Sequence, residues 1–433
     1  MTNKMTIQSR NPRVRFFGKA CAFAVAMIAA GAFATPTITV DSVMQRWPWN
    51  NKVDITYTVA NGIDMAKAAT GEDSYYKIVF DAEIGGRTYT IDGSKDVLAP
   101  VTDGRHTVTW TNAPAGIHNL NCSMGATILT TDAYYMIVDL ATGAYVVDDL
   151  EDGDTSTATP TASNARYNTD LYKTDRLVLR RVPRTAAADA SYSSGYPTGD
   201  NGMSVTLKST ETNWVTSADY FIGVFDTTIA QYVRLMAPQN SNLDKRPVTN
   251  GNKPSCIASS VKYTTLRNDK TARTALGSDS SSNSYLERLN ALTGLSGFDL
   301  PTGVMSEIAC RAGNAGYHFF YGSNTANSDY FWLSQSDSQP VGGKLANQWG
   351  LYDVAGNVYE ICRDGDSCTD LAEMADPWTP AAEGSASTYL YRNGGDFDDS
   401  SAGMAFYASR YQFGSGQTSY HGFRVAFFAT WGN

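Results

Sequence analysis

The sequence predicts an α+β chain made of an all-β sandwich followed by a loop-rich mixed domain. Three observations predict it. Residues 36–147 alternate apolar and polar side chains in short runs separated by turn residues, the period of half-buried strands. A polar stretch, Asp148 to Asn168, carries Asp-Asp-Leu-Glu-Asp-Gly-Asp and then Thr, Ser and Ala around Pro160. Beyond about Leu171 only two segments carry a helical pattern, and the rest is rich in glycine, asparagine and aromatic residues.

In the first part, Val53, Ile55, Tyr57 and Val59 alternate with Asp54, Thr56 and Thr58. Tyr76 to Ile84 is a second β-rich run, and Gly85-Gly86 turns it into Arg87 to Ile91, a hairpin signal. His106 to Trp110 and Tyr134 to Leu140 add strands, and Ala141 to Ala144 turns the chain into Tyr145-Val146-Val147. Short strands with regular turns predict a sandwich of immunoglobulin or fibronectin type. Such a module serves as an adhesive or ligand-binding unit or as a spacer, and fold alone does not choose. The acidic stretch at 148–170 is expected to be a solvated, self-repelling linker, with calcium binding by its acids as the rival reading.

In the second part, Ser284 to Leu295 places Leu286, Leu289 and Leu292 near one helix face. Val304 to Ala312 is the other helix, opened by Pro301-Thr302, with Thr302 as its N-cap.

Composition limits the function classes. The chain has 433 residues, 34 Lys and Arg against 43 Asp and Glu, and a formal charge of −9. Nucleic-acid binding needs a basic footprint, so this balance excludes it as a general function. Aromatics at 12% and apolar residues at 42% exclude a disordered chain. The four histidines, His106, His118, His318 and His421, are too few and too scattered for multi-histidine metal chemistry.

Residues 1–34 are expected to be an export address. Lys4, Arg10, Arg13, Arg15 and Lys19 stand without an acid, and an apolar run from Ala20 ends in Ala32-Phe33-Ala34, followed by Thr35-Pro36. A run of about fifteen apolar residues falls short of the roughly twenty that span a bilayer, so a cleaved signal peptide is favoured over an anchor. No later stretch is expected to cross a membrane. Loss of this segment removes five basic residues and no acid, taking the formal charge from −9 to −14. The expected location is secreted, cell-surface or periplasmic. Cys122, Cys256, Cys310, Cys362 and Cys368 remain. Cys362 and Cys368 are close enough for a small disulfide loop, and the pairing is open because an odd number cannot all pair within one chain. There is no C-x-x-C.

Five phrases in the second part occur together. Phe221-Ile222-Gly223-Val224-Phe225-Asp226-Thr227-Thr228-Ile229-Ala230-Gln231-Tyr232 is followed by Leu300-Pro301-Thr302-Gly303-Val304-Met305-Ser306-Glu307-Ile308-Ala309. Then come Asn347-Gln348-Trp349-Gly350-Leu351-Tyr352-Asp353-Val354-Ala355-Gly356-Asn357-Val358-Tyr359-Glu360, Arg392-Asn393-Gly394-Gly395-Asp396-Phe397 and Gly422-Phe423-Arg424-Val425. In this order they resemble the motifs of the formylglycine-generating enzyme, or sulfatase-modifying factor, family, over about residues 171–433. The resemblance implies a loop-rich variant of the C-type-lectin architecture. It also implies one of three activities: copper-dependent conversion of a sulfatase cysteine to formylglycine, iron-dependent sulfoxide synthesis, or ligand binding, as in retroelement-diversified variable proteins.

The copper branch places two cysteines after its glycine pair, in a pattern like G-G-S-x-x-C-x-x-x-x-C, because two soft thiolates select Cu(I). At those offsets this chain has Asp399 and Met404, with Asp396 in place of the serine, and no cysteine follows Cys368. Copper is therefore not expected, and no catalytic residue is assigned. The iron branch's histidine triad is also missing. The helix motif lacks its first glutamate (Gly303) and its tryptophan (Ser306), and an interior glycine weakens a helix by up to about 1 kcal/mol. The expected function is an exported binding protein for an extracellular protein or glycan. An oxidase with rewired ligands is the alternative.

Two sites follow from the resemblance. The G-L-Y-D-x-x-G-N-V-x-E loop holds calcium in family members, which assigns a structural calcium here to the Asp353 and Glu360 side chains and the Gly356 and Val358 carbonyls. Calcium takes six to eight hard oxygens, which these groups begin to supply. The rival is a turn in which the two carboxylates bond backbone amides. Asp396, Asp398, Asp399, Tyr407, Arg410 and Tyr411 fall where the family's cleft lies, a candidate site for a cationic or hydroxylated ligand. Asp364, Asp366 and Asp370 form an incomplete calcium-loop pattern, better read as a solvated loop.

Overall fold

A computed structural model describes residues 35–46, 51–114, 122–149, 166–183, 218–236, 261–268, 276, 278–282, 284–312, 321, 323, 325–365, 389–399, 410–414 and 420–428. The expected leader at 1–34, most of the acidic linker, Cys256, Cys368, Asp366, Asp370, Met404 and Tyr407 lie outside these residues. No helix among the described residues is long and apolar enough to cross a membrane.

The chain forms two compact units. The first contains β1 (Thr37–Gln45), β2 (Val53–Ala60), β3 (Tyr75–Ile84), β4 (Arg87–Asp92), β5 (Gly104–Trp110) and β6 (Cys122–Thr131). They form two antiparallel three-stranded sheets, in the orders β1-β2-β5 and β4-β3-β6. The alternation along β2 is the one expected: Val53, Ile55, Tyr57 and Val59 are buried and their neighbours are not. Both sheets contribute to one apolar core, in which Ile55 and Tyr57 meet Ile78, Phe80 and Ile91. The hairpin at Gly85-Gly86 forms with Ile84 opposite Arg87. Both glycines have positive φ, 57° and 78°, which the two-residue turn requires.

Two segments depart from the expected boundaries. β7 (Tyr135–Asp139) pairs antiparallel with β9 (Arg176–Val182) and belongs to the second unit. Four of its five residues are buried, a run without the half-buried alternation of the first unit's strands. The short helix Met65–Thr70 also belongs to the second unit, where the Ala69 carbonyl accepts from the Asp219 amide at 2.9 Å. Of the expected linker, Asp148 ends β8 (Tyr145–Asp148) as a buried residue accepting from Ser94 Oγ at 2.8 Å. At the other end Tyr167 is buried between Tyr135 and Tyr172. Solvation of that stretch therefore does not reach either end.

In the second unit β7 and β9 continue into β10 (Tyr220–Gly223), and a sheet runs in the order β11-β16-β10-β9-β7, with β11 at Phe298–Asp299 and β16 at Ala426–Phe427. A second sheet has the order β14-β13-β12-β15, from β12 (Tyr359–Gly365), β13 (Tyr389–Asn393), β14 (Arg410–Gly414) and β15 (His421–Gly422).

The two expected helices form at Tyr285–Thr293 and Gly303–Arg311. Each is capped as its sequence dictates. Ser284 Oγ accepts from the Glu287 amide, and Thr302 Oγ1 accepts from the Met305 amide. Gly303 is the first helical residue, where the full interior glycine cost does not apply. Another helix, Ile229–Met236, opens with a reciprocal cap: Thr228 Oγ1 accepts from the Gln231 amide at 3.2 Å, and Gln231 Oε1 accepts from the Thr228 amide at 3.0 Å. This cap explains the Thr-x-x-Gln spacing of the first motif.

Candidate functional site

The motif segments converge in the second unit. Asn347, fully buried, donates from Nδ2 to the Ala309 and Cys310 carbonyls at 2.9 and 3.0 Å, covering the end of the Gly303–Arg311 helix. Its Oδ1 accepts from the Trp349 and Leu351 amides, each at 3.0 Å, and so shapes the following turn. The Tyr352 amide then donates to the Val224 carbonyl at 2.9 Å, joining the turn to the first motif.

Four titratable groups lie behind this turn. Arg424 is 1% exposed, and its fork is used in full. Nε and Nη2 donate to Glu360 Oε1 at 3.1 and 2.8 Å. Nη2 also donates to the Tyr352 carbonyl and Nη1 to the Gly223 carbonyl, both at 2.8 Å. Asp226 Oδ2 lies 3.8 Å from Nη2. Burial opposes the Arg424 charge, yet Glu360 and Asp226 hold its pKa above the usual guanidinium value. Asp226 is fully buried, and neither of its oxygens has a hydrogen-bond partner. Burial drives its pKa well above the ordinary carboxylate value, against the pull of Arg424. Asp353, also buried, accepts from the Gly342 amide at Oδ2 at 2.7 Å, while Oδ1 has no partner. Burial raises its pKa from 3.8 to about 6.

The calcium assignment meets this arrangement at three points. Asp353 Oδ1, buried and unpartnered, is the kind of oxygen a cation would use. Glu360 Oε1, however, is held by two N–H groups of Arg424. The Gly356 carbonyl accepts from the Val358 amide at 2.9 Å. As placed, Glu360 Oε1 is taken by the Arg424 guanidinium, and a calcium ion drawing on that oxygen would have to displace it.

The next residues build the outer loops. Gly356 has φ 74°, and a Cβ there would fall 2.6 Å from the Trp332 carbonyl oxygen, so only glycine fits. Asn357 has φ 66° and is fully buried. Its Oδ1 accepts from the Gln339 amide at 2.8 Å, and its Nδ2 donates to the Gln339 carbonyl at 3.1 Å. Its backbone accepts from the Phe397 amide and donates to the Trp332 carbonyl, at 2.9 and 3.0 Å. One asparagine thus fixes two loops, around 332–339 and 394–399.

The candidate ligand loop is only partly outward. Asp396 is buried, and its Oδ1 accepts from the Asp398 and Asp399 amides at 2.8 and 3.1 Å. Asp399 Oδ2 accepts from the Asp396 amide at 2.8 Å and from the Tyr359 hydroxyl at 3.1 Å. These two carboxylates close the loop on itself. Asp398 is exposed, with the Tyr420 hydroxyl donating to it at 3.4 Å. The structure therefore brings Asp396, Asp398 and Asp399 together with Tyr359 and Tyr420. Arg410 is placed by its backbone opposite Asn393, and Tyr407 is outside the described residues. Cys362 is buried beside the Glu360 carbonyl, and its suggested partner Cys368 is outside the described residues. Sequence reasoning passed over Asp226, Asn347, Asn357 and Arg424 as site residues, although all four stand in the quoted motifs.

A loop-rich α+β domain whose motif turns are locked around a buried Arg–Glu pair is the class this geometry defines. Residues 197–428 match the model of the Sulfatase-modifying factor enzyme 1-like domain, and the chain belongs to that family. It is 27% identical over 191 residues, covering 37% of this chain and 67% of the relative, to "Chaperone protein LppX" of Paenibacillus barcinonensis. Among solved structures it is similar to Treponema denticola variable protein 1, with 18% identity, a TM-score of 0.41, and 58% of this chain and 95% of that one covered. It is also similar to PvdO from Pseudomonas aeruginosa, with 16% identity, a TM-score of 0.43, and 58% and 94% covered.

Proposed function

We propose that this chain is an exported binding protein that keeps the family scaffold without the family's copper oxidase chemistry. The observation that carries the reading is the state of Asp399. It stands at the offset of the first copper cysteine, and its carboxylate is committed to the Asp396 amide and the Tyr359 hydroxyl. A hard oxygen already used to close a loop is no substitute for a soft thiolate.

The ligand surface in this reading is the outer side of the 396–399 loop, with Asp398 and Tyr420 as its accessible polar groups. A carboxylate beside a phenol suits a cationic or hydroxylated partner, on a protein or on a glycan. A relative named a chaperone is in keeping with a protein ligand. The export reading rests on the basic, apolar and Ala-x-Ala succession of residues 1–34.

Oxygen uptake tests the reading. The purified chain is supplied with copper, a thiol reductant and a cysteine peptide of sulfatase type. Uptake equal to a protein-free control with the same copper, thiol and peptide, and no aldehyde in the peptide, supports the reading. Uptake above that control, with conversion of the peptide cysteine to the aldehyde, overturns it.

A further inference from the structure

We propose that the Arg424 guanidinium is the resident cation of the Gly350–Glu360 turn, and that a divalent cation can use Glu360 Oε1 only by displacing it. This inference concerns what holds the motif turn together and stands apart from the binding reading.

Three carboxyl groups, Asp226, Asp353 and Glu360, are buried around this turn. Buried carboxylates need a compensating charge or a proton. Arg424 supplies the charge at Glu360 through two N–H groups and reaches Asp226 at 3.8 Å. It also ties together the Gly223 and Tyr352 carbonyls, so one side chain joins the first motif, the turn and β12. A calcium ion would need Glu360 oxygen at about 2.3–2.6 Å in a shell of six to eight oxygens. The Nη2 nitrogen already stands 2.8 Å from that oxygen. A dication and a guanidinium cannot share that side of the carboxylate without repelling each other. The other cationic side chain acting on Asp353 is Lys173, half-buried.

Calcium-dependent thermal melting of the full chain tests this, comparing wild type with Arg424→Lys and Arg424→Gln. Lysine keeps the charge and loses the fork that grips Glu360, so Arg424→Lys retains a measurable transition if glutamine does not. The expected result is a wild-type melting temperature that millimolar calcium leaves where chelator leaves it, and a rise of several degrees in the variant. A calcium-induced rise in wild type equal to or larger than that in the variant overturns the proposal. So does the lack of any calcium response in the variant.

Discussion

Arg424 Nη2 lies 2.8 Å from Glu360 Oε1, with both residues buried and 64 positions apart in the chain. Breaking a buried ion pair from one side leaves the other charge uncompensated and typically costs about 3–5 kcal/mol. Arg424→Met is therefore expected to destabilise the second unit by about that amount. Paired replacement by apolar residues, Arg424→Met with Glu360→Leu, is expected to cost less than the single change. Urea unfolding curves check both, and a single variant within 1 kcal/mol or so of wild type would show that the pair is not compensating the buried charge.

Asp353 gives the fold a pH dependence. Its pKa rises from 3.8 to about 6 on folding because burial disfavours its charge. The folded chain thus holds a proton that the unfolded chain has released between these values. The resulting stability is fully present below pH 3.8 and is lost as pH rises through about 6. The difference is of the order of 2–3 kcal/mol. Asp353→Asn, which keeps an acceptor for the Gly342 amide, is expected to remove this component. Unfolding free energies measured at several pH values would show a flatter profile for the variant over that window. Superimposable profiles would contradict the assignment.

Asn357 is expected to control two loops at once. Alanine there loses both bonds to Gln339 and must adopt a left-handed backbone at φ 66°. The combined cost is about 2–3 kcal/mol. Glycine relieves the backbone term alone. Hydrogen exchange at the Gln339 and Phe397 amides reads the effect directly. Both should exchange faster in Asn357→Ala, while the amide of Ile55 in the first unit should be unchanged.

Local signals in the sequence reached much of this architecture. The alternation at Val53–Val59, the Gly85-Gly86 hairpin and the Thr302 cap are set by neighbours a few positions apart, and they appear where expected. The exit of β7 from the first unit was not legible, because a run such as Tyr-Met-Ile-Val-Asp names a strand without naming its partner. The acidic loop showed the opposite problem. Asp396, Asp398 and Asp399 have the same chemistry in sequence, and only the fold turns two of them inward as loop closures. Likewise Arg424 and Glu360 stood in separate motifs, and their pairing depends on contacts made across the whole second unit. Glu360 reads as a calcium ligand within its own motif, and the guanidinium that meets its Oε1 is encoded 64 positions away in Gly-Phe-Arg.

Cu(I) binding by the purified chain, measured by competition with a chromophoric chelator, decides whether the 396–399 loop carries a copper site. Asp399→Asn is expected to leave any Cu(I) retained by wild type unchanged, because the loop of Asp396 to Asp399 offers carboxylates and no thiolate. One equivalent of Cu(I) held in wild type and released by Asp399→Asn would contradict it, and would return this chain to the oxidase branch of its family.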